Sequence, residues 1–151
     1  MVEYEYCGEK NLFIRRFKGD ITIDVVIDSW KSMKDSGLFT SGIKGVMSNY
    51  MGPIKIEYSE MDRLLEFYKE NATFLTNVSL MKVIEVPAVA MLFMFKRQNP
   101  EFHIEIFSSE LKALLWFEKC NIPSARCSKI FSRKGGDSTM NFCYNCSKLD
   151  E

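Results

Sequence analysis

Between residues 43 and 71 the sequence changes period, and that change limits the fold more than any other stretch of the chain. Residues 45–50 are a short, mostly apolar run, residues 51–58 are a loop broken by Gly52 and Pro53, and residues 59–71 carry apolar side chains at helical spacing. An apolar strand of this kind suits a parallel sheet covered on both faces. Parallel neighbours must be joined by a crossover, usually a helix. Met61, Leu64, Leu65 and Tyr68 recur at i, i+3, i+4, i+7, which predicts one core-facing side for the helix. Ser59, three residues before Asp62, reads as its N-cap. The crevice beyond the carboxyl end of such a strand is where an open α/β sheet places its binding site.

The flanking segments repeat the same alternation. Residues 2–7 and 11–18 are both rich in Tyr, Phe, Ile and Val, and Gly8-Glu9-Lys10 between them supplies turn chemistry. They predict an antiparallel hairpin. From Thr22 the period becomes helical, with Val26, Trp30 and Met33 on one face, and Gly37 offers the left-handed residue that ends the helix. Residues 78–86 form the next strand. Pro87 then suits the first turn of a helix running to Arg97, which Asn99-Pro100 ends. Phe102-His103-Ile104-Glu105-Ile106 alternates strictly, as a half-buried strand near a sheet edge does. Ser108 begins a last helix with Leu111, Leu114 and Leu115 facing inward. The expected order is β-β-α-β-α-β-α-β-α, an α/β domain of one mixed, mostly parallel sheet over residues 1–119. Residues 120–151 lack periodicity and are expected to form a loosely ordered tail.

Composition excludes several classes. Lys+Arg and Asp+Glu balance at twenty each, with basic and acidic residues interspersed, so no nucleic-acid groove is expected. Past Glu118 the charge is +3, leaving −3 on the remainder. The longest apolar run, residues 87–95, is about half of what spans a bilayer. The first residues lack the basic and apolar regions of a secretory signal, and five cysteines without one read as reduced thiols. A cytoplasmic domain without a transmembrane segment is the expectation.

The opening hairpin, the phrase Arg16-Phe17-Lys18-Gly19-Asp20-Ile21-Thr22 entering a helix, the apolar helix after Val86-Pro87, and the closing Phe107-Ser108-Ser109-Glu110…Ala113…Trp116 together resemble the STAS domain. This is the fold of the SpoIIAA-like anti-sigma-factor antagonists, and the likeness, over residues 2–118, extends to small bacterial STAS-like proteins. It implies a non-enzymatic regulatory module that binds a protein partner. In that family a kinase-targeted serine stands at the N-terminus of the helix after the central strand, within an Asp-Ser-Ser-Gly-like motif. The resemblance lays Ser59 on that serine and Glu57 on its acid. Tyr58 and Glu60 differ from the motif, and its glycine is absent.

Three sets of residues carry candidate chemistry. Ser59 is either a phosphorylation switch or an ordinary helix cap. The helix after Pro87 leaves no polar face through Met91, Leu92, Phe93, Met94 and Phe95. It is either buried on both sides or, with Met51 and Tyr58 of the preceding loop, a surface for a protein partner, a second copy or a lipid-like apolar molecule. Cys143 and Cys146 have the spacing of half a zinc knuckle, with Cys120 and Cys127, separated by six residues, as weak partners. Reduced, unconnected thiols are the alternative. His103 is the single histidine, and no nucleophile elbow, phosphate-binding Gly loop or His-Glu-x-x-His is present. A non-enzymatic module is therefore expected, with a small enzyme using the crevice beside Tyr50 and Ser59 as the least favoured alternative, and no cofactor is expected.

Overall fold

Val2–Cys7 (β1) and Leu12–Phe17 (β2) pair antiparallel through a tight turn whose left-handed residue is Asn11, φ 53°, with no glycine needed there. In the computed structural model, residues 1–84 and 89–120 are described. From β2 the chain steps outward in one direction. Gly45–Tyr50 (β3), Ser79–Val83 (β4) and His103–Phe107 (β5) are added in parallel, giving the sheet order β1-β2-β3-β4-β5. Right-handed crossovers that all step the same way place every linking helix on the same face of the sheet. Those helices are Ile23–Asp35 (α1), Met61–Glu70 (α2) with the short Ala72–Leu75 (α3), and Val89–Gln98 (α4).

Their apolar sides meet the face bearing Phe13, Phe17, Val46, Leu80, Ile84 and Ile104. Val26, Trp30 and Met33 of α1 and Met61, Leu64, Phe67 and Tyr68 of α2 are buried there, whereas Leu65 is only partly buried. Trp30 is the centre of this core. Its ring lies edge-on to Tyr68 at 5.8 Å and to Phe39 at 6.3 Å. Thr22 caps α1, its hydroxyl accepting from Val25 N–H at 3.2 Å, and Gly37 follows the helix at φ 86°. The opposite face of the sheet also carries buried apolar side chains, Leu12, Ile14, Met47 and Met81.

The chain divides into two units, Met1–Glu110 and Leu111–Glu151. Of the second, the described part is helical: α5 spans Glu110–Cys120. Its buried positions are Ala113 and Phe117, while Leu111 and Leu115, expected to face inward, are exposed. Apolar residues occupy six of the seven positions from 111 to 117, so spacing alone admits more than one inward stripe. Ala113 and Phe117 are the i, i+4 pair that is used. The tail beyond Cys120, with Cys127, Cys143 and Cys146, lies outside the described residues, as do Pro87 and the end of the expected strand 78–86.

The start of α2 also differs from expectation. Ser59 lies inside a 3-10 turn, Tyr58–Glu60, and does not cap it. The cap is Glu57: its carboxylate accepts from the Glu60 N–H, and the Glu60 carboxylate accepts from Glu57 N–H at 2.9 Å. A longer acid reaching back across a turn satisfies two orphan donors, where a serine at the next position but one would satisfy one.

Candidate functional site

Beyond the carboxyl ends of β3 and β4 the surface opens into a groove of about 660 Å³. Tyr50, Val83 and Ile84 form its base, the segment 51–56 and Met91 of α4 its apolar side, and Asn49, Ser108, Ser109 and Glu110 its polar rim. The location follows from topology, since strand ends that all point one way leave their connecting loops to build a cleft.

The loop is firmly held. Met51 N–H donates to Phe17 O at 2.9 Å, Ile21 N–H to Pro53 O at 2.9 Å, and Lys55 N–H to Ile21 O at 2.7 Å. Ile21 and Ile54 pair as an isolated parallel bridge. The two chains approach so closely that a Cβ at Gly52 would run into the backbone of Gly19, which itself sits at φ 77°. Glycine is required at both places, for space at one and for conformation at the other. The loop therefore presents Met51 and Tyr58, both exposed, from a fixed backbone. Tyr58 O–H also donates to Gln98 Oε1 at 3.1 Å, one helical turn beyond Met94.

On α4 the structure separates the five residues singled out as a surface. Phe93 and Met94 are exposed and Met91 is half-buried, whereas Leu92 and Phe95 belong to the core. Leu92 and Phe95, three residues apart, face the sheet together, so the helix is neither buried all round nor wholly exposed. Beneath it, between Val26, Tyr50, Ile56, Met61, Leu64, Ile84 and Leu92, the remaining space is about 30 Å³. Ser59 is exposed at the far end of the loop.

At the polar rim, Arg16 donates twice to Glu110, Nε to Oε2 at 2.7 Å and Nη2 to Oε1 at 2.9 Å. Asn49 donates to the same carboxylate at 2.5 Å. The Arg16 bonds first, and the Asn49 bond after them, hold the Glu110 carboxyl below its ordinary range despite partial burial. Arg16 is held above its own for the same reason.

Behind the base of the groove lies a group that no sequence motif singled out. Arg15, Ser48 and Lys82 stand in register on β2, β3 and β4, on the face covered by α1 and α2, and all three are buried. Arg15 Nε donates to Ser48 Oγ at 2.8 Å, and the guanidinium lies 3.9 Å from the centre of the Trp30 ring. Lys82 Nζ lies 3.0 Å from Tyr68 Oη and 3.5 Å from Tyr50 Oη. Burial, with Arg15 adding repulsion, lowers the Lys82 ammonium well below its usual range. Burial likewise raises the Tyr50 and Tyr68 phenols. A legible signal existed: Lys82 interrupts Leu80-Met81-Lys82-Val83-Ile84, and Arg15 sits among Phe13, Ile14 and Phe17, both inside strands that otherwise read as buried.

Among the described residues no group of three or more His, Cys, Asp or Glu side chains is placed to hold a metal, and Cys7 is a free thiol. No helix among them is long and apolar enough to cross a membrane.

No protein-family model matches the sequence, and no curated protein matches it. Solved structures do. The anti-sigma factor antagonist SpoIIAA in its unphosphorylated form superimposes with a TM-score of 0.51 at 10% identity, over 76% of this chain and 94% of that one. The Bacillus cell fate determinant SpoIIAA in its phosphorylated form gives 0.49 at 12% identity, over 76% and 96%. The first likeness, with the mixed five-stranded sheet and its single antiparallel pair, shows a STAS-like fold.

Proposed function

We propose that this protein is a regulatory, non-enzymatic interaction module. It would bind a protein partner, or a second copy of itself, through Met51, Tyr58, Met91, Phe93 and Met94 at the edge of the groove. The observation that carries this reading is the exposure of Met51, Tyr58, Phe93 and Met94 on two elements tied together by the Tyr58–Gln98 hydrogen bond. Large apolar side chains grouped on a rigid support are what a docking surface requires, and methionine adapts to a partner's contour. The similarity to an anti-sigma factor antagonist agrees with this reading at the level of fold.

A lipid-like ligand is less well supported. The space under α4, about 30 Å³, holds roughly one water molecule. The larger groove is open to solvent and polar along one rim, unlike the closed apolar pockets that take up acyl chains. Ser59, as an exposed residue of the turn that carries Tyr58, would be the point of control. A phosphate there would repel the Glu57 and Glu60 carboxylates that close the capping box, and so loosen the turn beneath Tyr58.

The test is a photo-crosslinking amino acid placed at Met51, with a control at exposed Lys31 on α1, in the cells that make the protein. A discrete adduct is expected from Met51 and not from Lys31. Phe93→Ser with Met94→Ser should abolish it at unchanged melting temperature. Native mass spectrometry of protein from the same cells distinguishes a partner protein from a second copy and from a bound lipid. Equal crosslinking from both positions, unaffected by the double substitution, would sink the reading.

A further inference from the structure

The strand β1 stands at one edge of the sheet, with β2 as its neighbour on one side only. Lys18 N–H donates to Met1 O at 2.8 Å, which makes Met1 and Lys18 a hydrogen-bonded pair of the antiparallel ladder. Such pairs alternate, so Glu3, Glu5 and Cys7 aim their N–H and C=O groups at β2, and Val2, Tyr4 and Tyr6 aim theirs outward. Among the described residues nothing bonds to those outward groups. The register runs unbroken from Val2 to Cys7, with no bulge, Pro or Lys, devices that commonly keep an edge from pairing. The strand is also held from behind, Tyr4 O–H donating to Ser29 Oγ of α1 at 3.0 Å.

The two faces of this edge differ in chemistry. Val2, Tyr4 and Tyr6 share the face of Phe17, Arg15 and Phe13, and the rings of Tyr4 and Tyr6 are 46% and 52% exposed. On the other face Glu3 meets Lys18 and Glu5 meets Arg16, both at 2.9 Å. Arg16 gives its other two bonds to Glu110, so two carboxylates share one guanidinium along that row. A second copy of the chain, paired antiparallel about Tyr4, would set Glu3 of each copy opposite Glu5 of the other, and like charges directly opposite are destabilising. A strand with cations at alternate positions would instead continue the row as cation, acid, cation. We propose that the outer edge of β1 is a second docking site, which takes an extended segment of another protein as an added antiparallel strand, with Lys or Arg beside Glu3 and Glu5 and apolar residues beside Tyr4 and Tyr6. Backbone bonds to Val2, Tyr4 and Tyr6 supply the affinity, and the acids select the occupant. This edge is separate from the surface around Met51 and does not depend on it.

The experiment is amide hydrogen exchange, read by NMR on the isotope-labelled full chain, with two short capped peptides, one alternating Lys and Val and one alternating Glu and Val. At saturation the Lys–Val peptide should slow exchange at Val2, Tyr4 and Tyr6 by about tenfold or more, and change Glu3 and Glu5, already bonded to β2, far less. The Glu–Val peptide should change none of them. Glu3→Gln with Glu5→Gln should weaken the Lys–Val peptide roughly tenfold. Tyr6→Pro, which removes an outward N–H and no bond to β2, should prevent the added strand. Exchange at the three amides left unchanged by the Lys–Val peptide, or slowed equally by both peptides, overturns the proposal. So does full affinity in the double Gln variant. Slow exchange at these amides in the chain without peptide overturns it as well: if dilution relieves it, the occupant is a second copy, and if not, another part of the chain. The peptide comparison uses the unaltered protein, so a failure of Tyr6→Pro to fold does not shield the idea.

Discussion

Glu57 and Ser59 show how little separates two readings of one turn. Both are short-range choices for a helix start, and both have an acid three residues on, Glu60 and Asp62. The backbone decides: Glu57 is extended at ψ 153°, as a cap must be, while Ser59 is already inside the turn. Glu57→Ala is therefore expected to cost about 1 kcal/mol, and Ser59→Ala less than about 0.5 kcal/mol. Urea unfolding of the two variants checks this, and a larger loss for Ser59→Ala would return the cap to the serine. The buried Arg15–Ser48–Lys82 row illustrates the converse. Its residue types stand in the sequence for anyone to see, but a lone cation in an apolar strand is ambiguous until register shows that Arg15 and Lys82 flank the same serine.

At the scale of the element, α4 is the instructive case. Its sequence is apolar nearly all round, so periodicity could not say which side faces the sheet. Packing against Tyr68 answers that: the Phe95 ring meets it edge-on at 5.4 Å, and Leu92 turns inward with Phe95. Leu92→Ala should accordingly cost about 2–5 kcal/mol, whereas Phe93→Ser should leave stability within about 0.5 kcal/mol. Thermal unfolding followed by circular dichroism separates the two. A large loss at Phe93 would mean that its exposed ring is covered in solution, and the docking surface would have to be redrawn. The helix α5 presented the same ambiguity: of the leucines chosen from sequence, Leu111 and Leu115 are exposed and Leu114 is half-buried.

For the whole molecule, the rim network fastens distant parts of the first unit, since Arg16, Asn49 and Glu110 come from β2, β3 and the start of α5. Glu110 has a folded-state pKa below its ordinary 4.5, so the unfolded chain binds its proton first as pH falls. The carboxylate's contribution is present above pH 4.5 and is lost as pH falls through the lower folded value. Being partly solvated, it amounts to no more than about 1 kcal/mol. Glu110→Gln should be less stable than wild type at neutral pH, the two curves converging in acid. Parallel curves across that window would mean that the carboxylate's charge does not matter.

The sequence by itself determined the element order, the hairpin, the inward face of α1 and most of that of α2, and the resemblance to a STAS domain. These depend on periodicity and on residues whose backbone preferences act locally, such as Thr22 and Gly37. Only the tertiary structure decided which of several apolar stripes is buried on α4 and α5, because that choice depends on what lies across from the helix. It alone closed the loop 51–56 onto Gly19–Ile21 to leave a groove behind it. It also brought Arg15 and Lys82, 67 positions apart, onto one row of the sheet, since strand register is a long-range property that no local pattern encodes.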